Sequence, residues 1–198
     1  MASEREELNA EYWDSRYVEK TFGWDIGYPS PALIEFASQF NVDTKILIPG
    51  CGHAYEGQWL WENGYTNIHL LDFSSTAKER FLERVPSFPE EQFFVGDFFE
   101  HNETYELVLE QTFYCALQPE LRDLYVRKMR ELLAEGGALG GLLFTFPLTE
   151  SGPPFGGSME EYKRRFSPYF EIKTLSEAHN SIQPRSGKEA FFHVVKTA

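Results

Sequence analysis

The stretch ILIPGCGHAYEG (46–57) places Gly50 and Gly52 on either side of Cys51, where an apolar run stops. Asp72 closes a second apolar run, 20 residues after Gly52; Asp97-Phe98 closes a third and Glu110-Gln111-Thr112 a fourth. Glycines after a strand let the backbone approach a ligand closely and adopt unusual dihedrals. A carboxylate at the end of the next strand suits the two hydroxyls of a ribose. An acid beside a ring, as at Asp97-Phe98, suits the edge and face of a purine. Taken singly, these features read equally well as a turn, a helix cap and a loop acid. Taken together, four polar or glycine-rich strand ends describe a nucleotide crevice.

Other chemistries find less support. Cys51 and Cys115 are the only cysteines, and the five histidines (His53, His69, His101, His179, His193) are scattered, so no cluster has metal-ligand spacing. No Ser/His/Asp or Cys/His device stands out. The start MASEREELNA is polar and acidic, unlike a signal or transit peptide, and no apolar run approaches the ~20 residues of a membrane span. Reduced thiols and a cytoplasmic location are therefore expected. The net charge of −13 disfavours nucleic acid, and KRR (163–165) is too short a basic patch to reverse that. A membrane partner is not expected, and a monomer is the default.

The elements that must position these residues alternate in kind. EREELNAEYWDSRYVEK (4–20) has helical spacing of Leu8, Tyr12, Trp13 and Tyr17; FGWDIGYPSP breaks it, and ALIEFASQF is a short helix. From Lys45 onward, KILIP, NIHLLDF, QFFVGDF, YELVLEQ and ALGGLLFTF read as strands. AYEGQWLWENG, SSTAKERFLERV with a serine cap, PELRDLYVRKMRELLAEGG (119–137) with proline at its start and glycines at its end, and SMEEYKRRFSP read as helices. YFEIKTL and EAFFHVVK lack a helix between them and form an antiparallel hairpin at one sheet edge. Alternation of this kind predicts an α/β fold with a mostly parallel sheet covered on both faces, in one domain spanning 1–198.

The identity of the nucleotide follows from what is missing. A dinucleotide fingerprint GxGxxG needs a third glycine where Tyr55 stands, so the case for a pyrophosphate, and for an NAD-dependent oxidoreductase, is weak. A ligand with ribose and adenine but no phosphates, S-adenosyl-L-methionine (SAM), fits better. Its sulfonium is attracted to aromatic faces, and Trp13, Tyr17, Trp24 and Tyr114 are suitable walls.

YWDSRY (12–17), GWDIGYPSP (23–31), ILIPGCG (46–52), LLDFS (70–74), VGDFF (95–99), LVLEQTFYCAL (107–117) and GPPFG (152–156) run through nearly the whole chain. In these stretches it resembles the thiopurine S-methyltransferase-like family of class I SAM-dependent methyltransferases, and within it the halide, thiol and thiocyanate branch. The resemblance implies a Rossmann-like three-layer sandwich whose seven-stranded sheet has the order 3-2-1-4-5-7-6 and an antiparallel strand 7. It implies a SAM pocket built by Gly50, Gly52, Asp72 (ribose), Asp97 and Phe98 (adenine), Gln111, and Trp13 and Trp24 from a lid formed by residues 1–30. It also implies methyl transfer to a small soft nucleophile (a thiol, hydrosulfide, thiocyanate or halide) with no metal. Gln111, Tyr114, Phe155 and Arg185 are candidates for the acceptor pocket. Thiopurine or aryl-thiol transfer, and a SAM-binding module without catalysis, are the alternatives.

Overall fold

The computed structural model describes residues 8–19, 21, 23 and 25–197. In chain order the elements are α1 (Ala10–Glu19), α2 (Pro31–Ala37), β1 (Ile46–Pro49), α3 (Tyr55–Glu62), β2 (Ile68–Asp72), α4 (Ser75–Arg84), β3 (Phe93–Val95), β4 (Tyr105–Gln111), α5 (Arg122–Leu132), β5 (Leu133–Phe144), α6 (Met159–Phe166), β6 (Phe170–Glu177) and β7 (Glu189–Lys196). They build one seven-stranded sheet of order β3-β2-β1-β4-β5-β7-β6. Every pairing from β3 to β5 is parallel, and β7 runs antiparallel to both β5 and β6. The expected topology and edge hairpin are both present.

Alternation along the central strands sorts the core onto two faces. Ile46, Ile48, Leu70, Leu107 and Leu109 pack on one side with Leu60 of α3 and Phe81 of α4. Leu47, Leu71, Val108 and Leu139 pack on the other with Tyr125 and Met129 of α5 and Tyr162 and Phe166 of α6. Each such side chain, fully buried, is worth ~1.5–3 kcal/mol, and together they fix strand register, because a one-residue slip would turn the apolar set outward.

One glycine packs closely here, and one helix departs from the sequence reading. Gly57, placed too late for a dinucleotide fingerprint, still lets α3 approach β2: a Cβ there would lie 2.7 Å from Leu70 Cδ2. The helix expected over 119–137 is a 3-10 turn at Pro119–Leu121 followed by α5, and the chain is already extended at Leu133. Leu133 is fully buried and pairs with Tyr105, and the register then shifts before Leu107 meets Ala138. Gly136 (φ 76°) and Gly137 carry the chain through that irregularity, so these glycines shape a strand rather than end a helix. Among the described residues no helix is long and apolar enough to cross a membrane.

Candidate active site

The order of strands reverses between β1 and β4, and the crevice outside their carboxyl ends is where open α/β sheets bind ligands. A cavity of about 1080 Å³ opens there. Gly50, Gly52, Asp72, Asp97, Phe98, Trp13 and Arg185 all line it, so seven of the site candidates lie around one space. Trp24 lies outside the described residues.

The floor is held by Asp72. Its Oδ2 accepts the Gly52 N–H at 2.8 Å and its Oδ1 the Ser74 N–H at 2.9 Å, while Cys51 N–H donates to Leu71 O at 3.1 Å. Gly50 and Gly52 take φ of 57° and 55°, which an L side chain adopts only under strain. At Gly50 a Cβ would also lie 2.4 Å from the Phe113 ring. Each Asp72 oxygen spends one lone pair on the protein and keeps another for a ligand hydroxyl. Burial pushes the Asp72 carboxyl above its ordinary range; the Ser74 and Gly52 amides oppose this, and Asp14 adds to it. Asp97 accepts the Phe99 N–H at 2.8 Å, capping a short turn that holds Phe98 in the core, edge-on to Phe113 at 5.1 Å.

Helix α1 forms one side. Tyr12, Trp13, Arg16 and Tyr17 line the cavity. Asp14 accepts a hydrogen bond from Ser74 Oγ, whose oxygen also caps α4 by accepting the Ala77 N–H. Arg80 donates to Tyr17 O at 2.9 Å, and the Tyr17 ring meets His53 edge-on at 5.3 Å. Downstream, Asp25 Oδ2 lies 3.0 Å from His53 Nδ1, and Glu56 accepts the Ser30 N–H at 2.8 Å. Burial pushes His53 down, opposed by Asp25.

The far wall comes from the end of β4, the GPPFG loop and the turn before β7. Thr112, Phe113, Cys115, Phe144, Pro153, Pro154 and Arg185 line it. Arg185 reaches Glu189 at 3.4 Å and sits over the Phe144 ring at 5.4 Å. Gln111 instead lines a separate recess of about 50 Å³ on the other side of the glycine loop, with Asp25, Tyr28 and Glu56, and its Oε1 is buried without a partner. Tyr114 and Phe155 stand behind the wall rather than in it. Tyr114 packs among Tyr125 and Tyr162, and the cation over its ring is Arg122 at 4.7 Å. Phe155 is buried, and its N–H donates to Cys115 O at 2.7 Å. Thr112, at φ 59°, turns the chain off the end of β4, and after it Phe113 lines the cavity while Tyr114 is buried in the core.

The profile of the thiopurine S-methyltransferase family matches residues 8–197. The chain belongs to that family. "Probable thiol methyltransferase 2" of Arabidopsis thaliana is 30% identical over 184 residues, covering 89% of this chain and 81% of the relative. "Thiocyanate methyltransferase 1" of Brassica oleracea is 27% identical with the same coverage. In fold, the chain is similar to the Burkholderia thailandensis 1,6-didemethyltoxoflavin-N1-methyltransferase solved with bound S-adenosylhomocysteine. The TM-score is 0.77 at 15% identity, covering 96% of this chain and 87% of that one.

The chain is thus a SAM-dependent methyltransferase with the class I fold, and the cavity suits its cofactor. It has a carboxylate with free lone pairs, left-handed glycines beneath it, and aromatic rings on two sides. In this methyltransferase the cysteines are poor nucleophiles. Burial, chiefly, pushes both thiols far up, with Asp72 adding to the effect at Cys51 and Glu110 at Cys115. Replacing both by alanine is expected to leave turnover within about threefold of wild type, read as S-adenosylhomocysteine (SAH) formed. Complete loss with SAM binding retained would show a covalent route.

Proposed function

We propose that this enzyme methylates a small soft nucleophile (a thiol, hydrosulfide, thiocyanate or halide) by direct in-line displacement. The observation that carries this is the far wall: Phe113, Phe144, Pro153 and Pro154 form an apolar surface beside one guanidinium, Arg185. Among the described residues no histidine or lysine lines the cavity. Such a wall desolvates a polarisable anion and sets beside it one guanidinium, itself paired with Glu189. Its described residues include no histidine or lysine to act as a base, and a thiol with a pKa near 8.5 needs little base strength at neutral pH.

SAM, when bound, supplies a methyl group already activated by its sulfonium. The protein's task is then alignment and exclusion of water. In this reading Asp72 holds the ribose, Asp97 and Phe98 border the adenine, Gly50 and Gly52 lie under the methionine portion, and Trp13 covers it. Gln111 acts at the methionine end from the adjoining recess behind the glycine loop, and Arg185 orients the nucleophile. The lid assigned to residues 1–30, of which 1–7, 20, 22 and 24 lie outside the described residues, belongs to a single domain spanning 1–198. The ties Asp14–Ser74, Asp25–His53 and Ser30–Glu56 support this by fastening the N-terminal segment to the cofactor loops. The net charge of −13 favours small-molecule partners over nucleic acid or anionic membrane, in a cytoplasmic monomer.

Incubation of the protein with SAM and hydrosulfide, thiocyanate, iodide or an aryl thiol in turn, with SAH measured, tests the proposal. Turnover is expected with a small sulfur nucleophile. SAM binding without product from any of the four would favour a non-catalytic binding module. Product from the aryl thiol alone would move the acceptor class to aromatic thiols.

A further inference from the structure

Glu110, the penultimate residue of β4, has no accessible surface. Its neighbour across the sheet is Gly141 of β5, where a Cβ would fall 2.0 Å from the Glu110 carbonyl oxygen, so the two backbones close on each other here. Oε1 of Glu110 accepts the N–H groups of both Phe113 and Tyr114, each at 2.9 Å, and Oε2 is buried without a hydrogen-bond partner. Between the carboxylate and those amides lies Thr112, a β-branched residue at φ 59°. A residue in that conformation persists only where its surroundings hold it, and such positions cluster at functional sites. Two amides drawn onto one oxygen are such a hold. Its consequence reaches the cavity, which Glu110 itself does not line: Phe113 is fixed against Gly50 and Phe98, and Cys115 O is presented to the Phe155 N–H of the GPPFG loop.

We propose that Glu110 is a positioning residue of the methyltransferase site, its carboxylate clamping the Thr112–Cys115 turn so that Phe113 is held as the wall facing the cofactor. The clamp is strongest when the carboxylate is ionised, because a charged acceptor makes the better hydrogen bonds. Burial, reinforced by Glu189, raises its pKa to about 7 against the pull of the Tyr114 and Phe113 amides. The titratable groups facing it are Glu189 of β7, Tyr125 of α5, Tyr162 of α6, and Cys115 and Tyr114 of the turn itself. The clamp therefore loosens as pH falls through about 7.

The test uses the full chain with SAH as probe, by calorimetry from pH 6 to 8, together with amide hydrogen exchange over residues 111–117 without ligand. Glu110→Ala is expected to weaken SAH binding about tenfold and to speed exchange at Phe113 and Tyr114. Glu110→Gln keeps a carbonyl oxygen for both amides, so its affinity at pH 8 should stay within about threefold of wild type. It should lose the part of the wild-type decline in affinity below pH 7 that Glu110 causes. Should Glu110→Ala not fold, the glutamine variant decides. Unchanged exchange at the two amides in Glu110→Ala, or an identical pH profile in Glu110→Gln, overturns the proposal. The proposal rests on the methyltransferase reading for its choice of ligand. Failure of the wild type to bind SAH would strike at that reading, whereas the exchange measurement tests the clamp regardless.

Discussion

Arg122→Leu is expected to lower the melting temperature by about 10 °C and to impair the acceptor side of the site more than SAM binding. Arg122 stands in the first turn of α5 yet is wholly buried. Its guanidinium donates to Glu161 Oε1 at 2.9 Å, to Gly156 O at 2.8 Å and to Phe155 O at 3.4 Å, and covers the Tyr114 ring. One side chain therefore ties α5 to α6 and pins the loop that contributes Pro153 and Pro154 to the cavity. Breaking a buried pair by removing one partner costs ~3–5 kcal/mol. Glu161 keeps a second partner in Arg165 Nε at 3.0 Å, which places the loss at the lower end, ~3 kcal/mol. For a chain of this size each kcal/mol moves the midpoint by ~2–4 °C. Thermal unfolding gives the first number. The ratio of the change in acceptor kcat/KM to the change in SAH affinity gives the second. A shift of under 2 °C, or equal losses in both, would show that Arg122 does not organise the loop.

Arg122 also marks the limit of what was legible in the sequence. An arginine in an amphipathic helix reads as solvent-facing, and the partners that bury it come from the GPPFG loop and Glu161, 39 residues away. The strands were legible because each is an apolar run closed by a polar or glycine punctuation, and the closing residues Gly50, Asp72 and Asp97 are the ones the topology brings around one cavity. On the far wall the aromatic ring that lines the cavity is Phe113, while Tyr114 lies behind it. Residue type offers no signal that Thr112, β-branched, takes a left-handed conformation, and so none that the turn after it leaves Phe113, and not Tyr114, on the cavity. The same blindness applied to Glu110. It was visible as an acid at a strand end, but its two amide donors exist only once the turn has formed. The helix overrun at 133–137 came from glycines that are as good a helix stop as a strand irregularity, a choice that only the burial of Leu133 decides.

Asp72→Asn should weaken SAH binding by roughly a hundred- to a thousandfold, the largest single loss of affinity expected in the cavity. The carboxylate performs two tasks at once. Toward the protein it accepts the Gly52 and Ser74 amides, fixing the glycine loop and the first turn of α4; toward the cavity it offers the remaining lone pairs to the ribose diol. Two charge-assisted hydrogen bonds of ~1.5–3 kcal/mol each are at stake, and an amide replaces one acceptor with a donor that opposes either a backbone N–H or a hydroxyl. Burial holds the free carboxyl above its usual range, so ionisation in the ligand-free chain is disfavoured, and ribose hydroxyls that donate to it favour ionisation. Binding must then release a proton over the pH range in which the free carboxyl is still partly protonated. SAH affinity therefore falls as pH drops through that raised pKa, and the asparagine variant loses this dependence along with the affinity. Because Ser74 Oγ also bonds Asp14 of α1, loosening the turn frees the N-terminal helix, and proteolysis at residues 8–19 should accelerate in the variant. Retained affinity in Asp72→Asn, with calorimetry showing no loss of proton release, would place the ribose elsewhere in the cavity and leave Asp72 as a support for the glycine loop alone.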